Sequence, residues 1–199
     1  MKVLKTIGFW VLQCTWGAVM TVLGAIATLV LILFGKKPQH IGPVVYIRVG
    51  TGWGGVNLGG FFICSETADE DTLLHECGHA IQNMIFGPLF PFVIGIPSFI
   101  RCWIRVFCSH LGKSLFNLFF LLSALFFTTL CAVMFGPILD GYKALTIIAE
   151  VLRLYFLGIS IWLSAIEIPK YDKGKVLYDD IWFEGQATEL GIKIFKKYL

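Results

Sequence analysis

The sequence predicts a mainly α-helical membrane protein with about three transmembrane helices, a re-entrant segment, and a small β-hairpin ahead of a histidine-bearing helix. Three observations carry this. The chain is 57% hydrophobic and only 15% charged, with mean hydropathy +0.78, where an ordinary soluble domain is about 45–50% apolar and about 25% charged. The runs 7–34 and 114–139 carry no charge, and each exceeds the roughly 20 residues that cross a hydrocarbon core. Between them lie two β-prone runs around a glycine-rich turn.

Residues 7–34 follow Met1-Lys2-Val3-Leu4-Lys5, which has the charge of a signal-peptide start. The apolar run is far longer than a signal core of roughly 7–15 residues, so it is expected to be a retained anchor. Val44 to Val49 and Val56 to Ile63 flank Gly50-Thr51-Gly52-Trp53-Gly54-Gly55, and the 44–63 segment reads as a hairpin. The polar, acidic stretch 65–71 suits a helix N-terminus, where the macrodipole favours negative charge. A helix over 69–86 should end at Gly87-Pro88, because proline cannot continue it.

Beyond it, Gly87, Pro88, Pro91, Gly95 and Pro97 interrupt an apolar stretch. Broken backbone at membrane depth has to be packed in protein or line a cavity, so 87–108 is expected to be re-entrant or interfacial. Arg101, Trp103 and Arg105 would anchor its end at the headgroups, and a full crossing is the alternative. Spans at 114–139 and 144–166 follow. The latter carries Glu150 and Arg153, which at i,i+3 share a helix face and can neutralise each other. A C-terminal helix is placed within 176–199. No repeat or linker divides the chain, and 1–199 reads as one membrane-embedded domain.

The net charge of +3 is too small and too scattered for a nucleic-acid groove. With three spans, Lys2, Lys5 and Lys143 fall on one side and twelve Lys and Arg on the other. The positive-inside rule then puts 36–113 and the tail in the cytoplasm, with the N-terminus outside. The six cysteines show no C-x-x-C spacing and read as scattered buried thiols.

His75 and His79 are four apart in His75-Glu76-Cys77-Gly78-His79. On a helix their imidazoles share one face and can hold one ion at about 2.0–2.1 Å. Glu76, beside that face, can take a proton from an attacking water and deliver it to a leaving amine. Two polar histidines on an amphipathic helix would be the plain alternative. His40 and His110 read as interfacial or solvated side chains.

The His75-to-His79 motif, in a strand-then-helix context, resembles the zincin metallopeptidases. Gly52 to Gly59, His75 to Gln82, Gly87-Pro88-Leu89-Phe90, Ile94 to Ser98 and the tail Tyr178 to Gly191 resemble a group of small bacterial membrane proteins. Those carry HEYGH-x-x-Q-S, G-P-L-Y, G-I-P-S and T-E-x-x-A-D-x-L-G patterns. The resemblance covers about 1–105 and 176–199 and leaves the hydrophobic 110–170 unmatched. Glu184-Gly185-Gln186-Ala187-Thr188 looks like the E-x-x-A-D motif of gluzincins, which implies that Glu184 is the third zinc ligand. Thr188 stands where the family has an aspartate that hydrogen-bonds a zinc-binding histidine. It would offer a weaker, neutral contact, or Glu189 would substitute.

A rival third ligand is Asp140, in Leu139-Asp140-Gly141, which resembles the L-D-G motif of site-2 proteases. The expected topology places it at the far end of a span about 39 Å long. The resemblance implies a multi-pass zinc endopeptidase of the bacterial inner membrane, with its active site facing the cytoplasm. It would cut peptide or membrane-protein substrates near the membrane surface. The alternative is a non-catalytic scaffold or immunity-type protein with a structural zinc site, which would have no need of Glu76. The sequence leaves the oligomeric state open.

Overall fold

The computed structural model describes residues 2–106, 110–134, 143–174 and 177–199. The chain is mostly helical with one small sheet, and it divides into two units, Met1–Ser98 with Leu177–Leu199, and Phe99–Val176.

The first unit begins with a correction. The uncharged run 7–34 is not one straight span but two helices, α1 (Lys2–Cys14) and α2 (Ala18–Leu33), bent by 99°. Polar side chains inside the run supply the reason. Gln13 is fully buried and donates from Nε2 to the Ala80 carbonyl at 2.8 Å. Its Oε1 accepts from Thr21 at 2.8 Å and from Asn83 at 2.7 Å, while Asn83 also donates to the Gly17 carbonyl at 3.0 Å. Buried amides need such partners, and a straight helix would carry Gln13 and Thr21 away from them. On α2, Met20, Thr21, Gly24 and Thr28 are buried, while Val19, Leu23, Ile26 and Val30 are exposed along the opposite side.

The expected 44–63 hairpin is also corrected. Four strands, β1 (Gln39–Ile41), β2 (Val44–Arg48), β3 (Gly55–Leu58) and β4 (Phe61–Cys64), lie in the order β1-β2-β4-β3. The hairpins are β1–β2 and β3–β4, and β2 runs parallel to β4 with Tyr46 opposite Phe62. Burial decides the order. Val44, Tyr46, Ile47, Phe62 and Cys64 are all buried, so β2 and β4 take the centre. Tyr46 and Phe62 stack at 4.9 Å. Val56 is exposed, and its strand takes the edge.

The helix expected over 69–86 forms as α3 (Glu70–Phe86). Asp69 caps it by accepting from the Thr72 amide at 2.9 Å, and Gly87 ends it with φ +54°, a backbone conformation glycine adopts without a Cβ clash. Leu73, Leu74, Cys77 and Ala80 of α3 pack on the sheet with Phe9 and Phe195. A 3-10 turn Gly87–Leu89 and a π turn Pro91–Gly95 lead into α4 (Ile96–Val106). After a 3-10 turn at Tyr178–Asp180, α8 (Trp182–Phe195) provides the C-terminal helix.

The second unit contains α5 (His110–Met134) and α6 (Lys143–Trp162), which pack together, with Phe127 and Phe156 stacked at 5.7 Å. A π turn Leu163–Glu167 joins α6 to α7 (Ile168–Asp172). Charges here are met by charges. Arg153 donates from Nε to Glu150 at 2.8 Å, and Lys113 to Asp172 at 2.7 Å. Arg101, expected at the headgroups, is instead buried with its Nε 3.4 Å from Glu167.

Among the described residues, two helices, Leu111–Leu130 and Ala144–Asp172, are long and apolar enough to cross a membrane, and the number rises to four if each bent pair is one span. Asp140 and the end of the expected 114–139 span lie outside the described residues. The bend brings α1 beside α8, and Lys5 lines one cavity of about 360 Å³ with Lys193 and Lys197. Cys14, Cys64, Cys77 and Cys102 are free thiols.

Candidate metal centre

The site is built where α8 crosses α3. A Cβ on Gly78 would collide with the Ala187 carbonyl, and one on Gly191 with the Leu74 carbonyl. Only glycine at both points lets the two backbones touch, and this contact carries Glu184 to the histidine face.

His75 Nε2 and His79 Nε2 are 3.0 Å apart, and Glu184 Oε2 lies 3.1 and 3.2 Å from them. The rings meet edge-on at 4.7 Å and 89°. Tetrahedral donors about 2.0–2.1 Å from one zinc ion would stand roughly 3.3 Å apart, so the three donors fit a shared ion. His79 and Glu184 side chains are 6% and 0% exposed and that of His75 is 12% exposed, so the cluster opens on the His75 side.

The outward nitrogens show which electron pairs face inward. Gln82 donates from Nε2 to the Phe183 carbonyl at 2.7 Å and to Gln186 at 3.0 Å. That fixes its amide so that Oε1, 2.7 Å from His79 Nδ1, accepts from the ring. Thr188 Oγ1 donates to Asp179 at 3.2 Å and lies 2.9 Å from His75 Nδ1, so it too accepts. With both protons on Nδ1, both Nε2 lone pairs point at Glu184. Neither Glu184 oxygen has a hydrogen-bond partner. A buried carboxylate without a donor is costly, and a divalent cation at this point would satisfy it together with both lone pairs.

Glu76 is buried beside this cluster with Oε2 lacking a hydrogen-bond partner. It lies against β3, where a Cβ on Gly55 would be 2.6 Å from Oε1. Asn57 of β3 donates to the Glu76 carbonyl at 2.9 Å and holds strand to helix. Tyr178 meets His75 at 5.5 Å between ring centroids, and its hydroxyl lies 3.4 Å from Ser98 Oγ.

The structure thus brings His75, His79 and Glu184 together, a group whose ligand atoms all lie within 4.8 Å of one another. His40 and Glu189 are exposed, and the His110 side chain is outside the described residues. Sequence reasoning assigned no role to Gln82, Tyr178, Asp179 or Ser98. The i,i+3 spacing of His79 and Gln82 was a usable signal, whereas Asp179 reaches the site through a turn that no periodicity announces. A scan of the chain against protein-family models, a search of the curated proteins and a search of solved structures each return no match.

Proposed function

We propose that the protein is an integral membrane zinc metallopeptidase that hydrolyses peptide bonds near the membrane surface. One observation carries this reading: a buried carboxylate without a hydrogen-bond donor faces two inward imidazole lone pairs, with a second buried carboxylate, Glu76, alongside. Two imidazoles and one carboxylate are the protein donors of an open, catalytic zinc site. Zinc held there would supply Lewis acidity, polarising a carbonyl and making a water acidic near neutral pH.

His75, His79 and Glu184 would hold the ion, and Gln82 and Thr188 keep the two rings turned toward it. Glu76 would take a proton from the attacking water and deliver it to the amine nitrogen as the C–N bond breaks. β3 offers the outer edge of the sheet beside Glu76, where an extended peptide could add as a strand. Two long apolar helices support residence in a bilayer. Lys36, Lys37, Arg48, Lys193, Lys196 and Lys197 belong to the unit that carries the cluster, which supports a cytoplasmic site in a bacterial inner membrane.

The test pairs metal analysis with cleavage of a quenched-fluorescent peptide library in detergent. The wild type is expected to hold about one zinc per chain, and Glu76→Gln to keep it while losing cleavage. A wild type without zinc in chelator-free buffer overturns the metal reading. Zinc binding together with undiminished cleavage by Glu76→Gln overturns the peptidase reading, and zinc binding with no cleavage by either form favours the scaffold.

A further inference from the structure

We infer that Asp179 is a positioning residue that orients His75 through Thr188, a two-step relay standing where a single carboxylate would serve. The inference rests on the metal reading above. Metal-bound histidines generally donate their outward N–H to a carboxylate, carbonyl or water, which fixes the ring and raises its basicity. A hydroxyl alone is a weak substitute. Here the hydroxyl is itself committed: Thr188 Oγ1 donates to Asp179 Oδ2 at 3.2 Å and so presents a lone pair to His75 Nδ1 at 2.9 Å. The negative charge of Asp179 polarises the hydroxyl, and the ring gains a carboxylate at one remove.

The turn that carries Asp179 is built for this place. Asp180 accepts from the Leu177 amide at 3.2 Å and closes the turn, and Tyr178 rests on the His75 ring at 5.5 Å. The Asp179 carbonyl would lie 2.9 Å from a Cβ on Gly185, so the turn folds back onto α8 because that position lacks one. Three contacts thus hold the carboxylate opposite Thr188, although the two are nine residues apart.

The arrangement makes a prediction that a structural role would not. Asp179 should matter only while Thr188 is the intermediary. Zinc affinity is measured by competition with a chromogenic chelator, and the visible spectrum of the cobalt(II)-loaded chain reports ligand geometry. Thermal unfolding with EDTA gives the stability without metal. Thr188→Val should weaken zinc about 10–100-fold and shift the cobalt spectrum, and Asp179→Asn should weaken it several-fold, with Thr188→Ser close to wild type. Thr188→Asp, which puts a carboxylate directly on His75, should restore affinity and make Asp179→Asn silent in that background.

The relay is overturned if Thr188→Val binds zinc like the wild type. It is equally overturned if Asp179→Asn costs as much in the Thr188→Asp background as alone. Should Thr188→Val fail to fold, the paired Asp179→Asn measurements still decide. A wild type that binds no zinc overturns the metal reading itself, and the relay with it.

Discussion

In the second unit, Glu167 is buried beside the Arg101 guanidinium, Asp172 accepts from Lys113, and Glu150 accepts from Arg153. In the first unit Glu184, fully buried, faces two imidazoles whose protons are turned away from it. A carboxylate packed against a fixed cation is complete, and the pair can be read as architecture. A carboxylate packed against two lone pairs is incomplete, and what completes it has to come from solution. This difference, rather than burial or acidity, separates Glu184 from Glu150, Glu167 and Asp172.

The largest contrast is expected between Glu184→Ala and Glu167→Ala. The first should abolish metal binding, because only two protein ligands remain. The second takes the carboxylate from beside a buried guanidinium and should cost about 3 kcal/mol of stability with metal content unchanged. Metal analysis and thermal unfolding of both, run side by side, would break the comparison if Glu167→Ala lost the metal or Glu184→Ala kept it.

Gly78→Ala sharpens the same comparison by attacking the crossing instead of a ligand. Its methyl group would meet the Ala187 carbonyl, so α8 has to move, and overpacking of this kind costs about 1–3 kcal/mol. Glu184 moves with α8, so zinc affinity should fall although no ligand has changed. Unchanged affinity, measured by chelator competition, would show that the crossing does not set the ligand geometry.

The smallest effect is expected at the start of α3. Asp69→Ala removes the N-cap and should cost about 1 kcal/mol, leaving zinc in place. Hydrogen bonds from the Thr72 hydroxyl and amide hold the Asp69 carboxyl below its ordinary value. Its contribution is therefore present above the unfolded carboxylate pKa and lost as pH falls through the lower, folded one. Unfolding curves of wild type and variant should converge in acid, and a gap that persists there would assign the cap another role.

Local pattern made α3 legible: an acidic start at Asp69, histidines four apart, and a stop at Gly87-Pro88 all act within one helix. The edge position of β3 and the bend at Gly17 were not legible, since each depends on partners far along the chain. Gln13, inside an apolar run, reads as an inconvenient residue in a span until Ala80, Asn83 and Thr21 surround it.

By itself the sequence determined the apolar character of the long helices, the extent of α3 and the pairing of Glu150 with Arg153, because short-range periodicity and hydropathy suffice for these. Glu184 was reached through resemblance to a motif, without geometry. Only the tertiary structure decided that α8 lies across Gly78, that both imidazoles turn their Nε2 atoms inward, and that Asp179 stands behind Thr188. These depend on two segments about a hundred residues apart meeting at backbone contact. Chain separation carries no local signal for such a meeting; steric fit between a glycine and a carbonyl does.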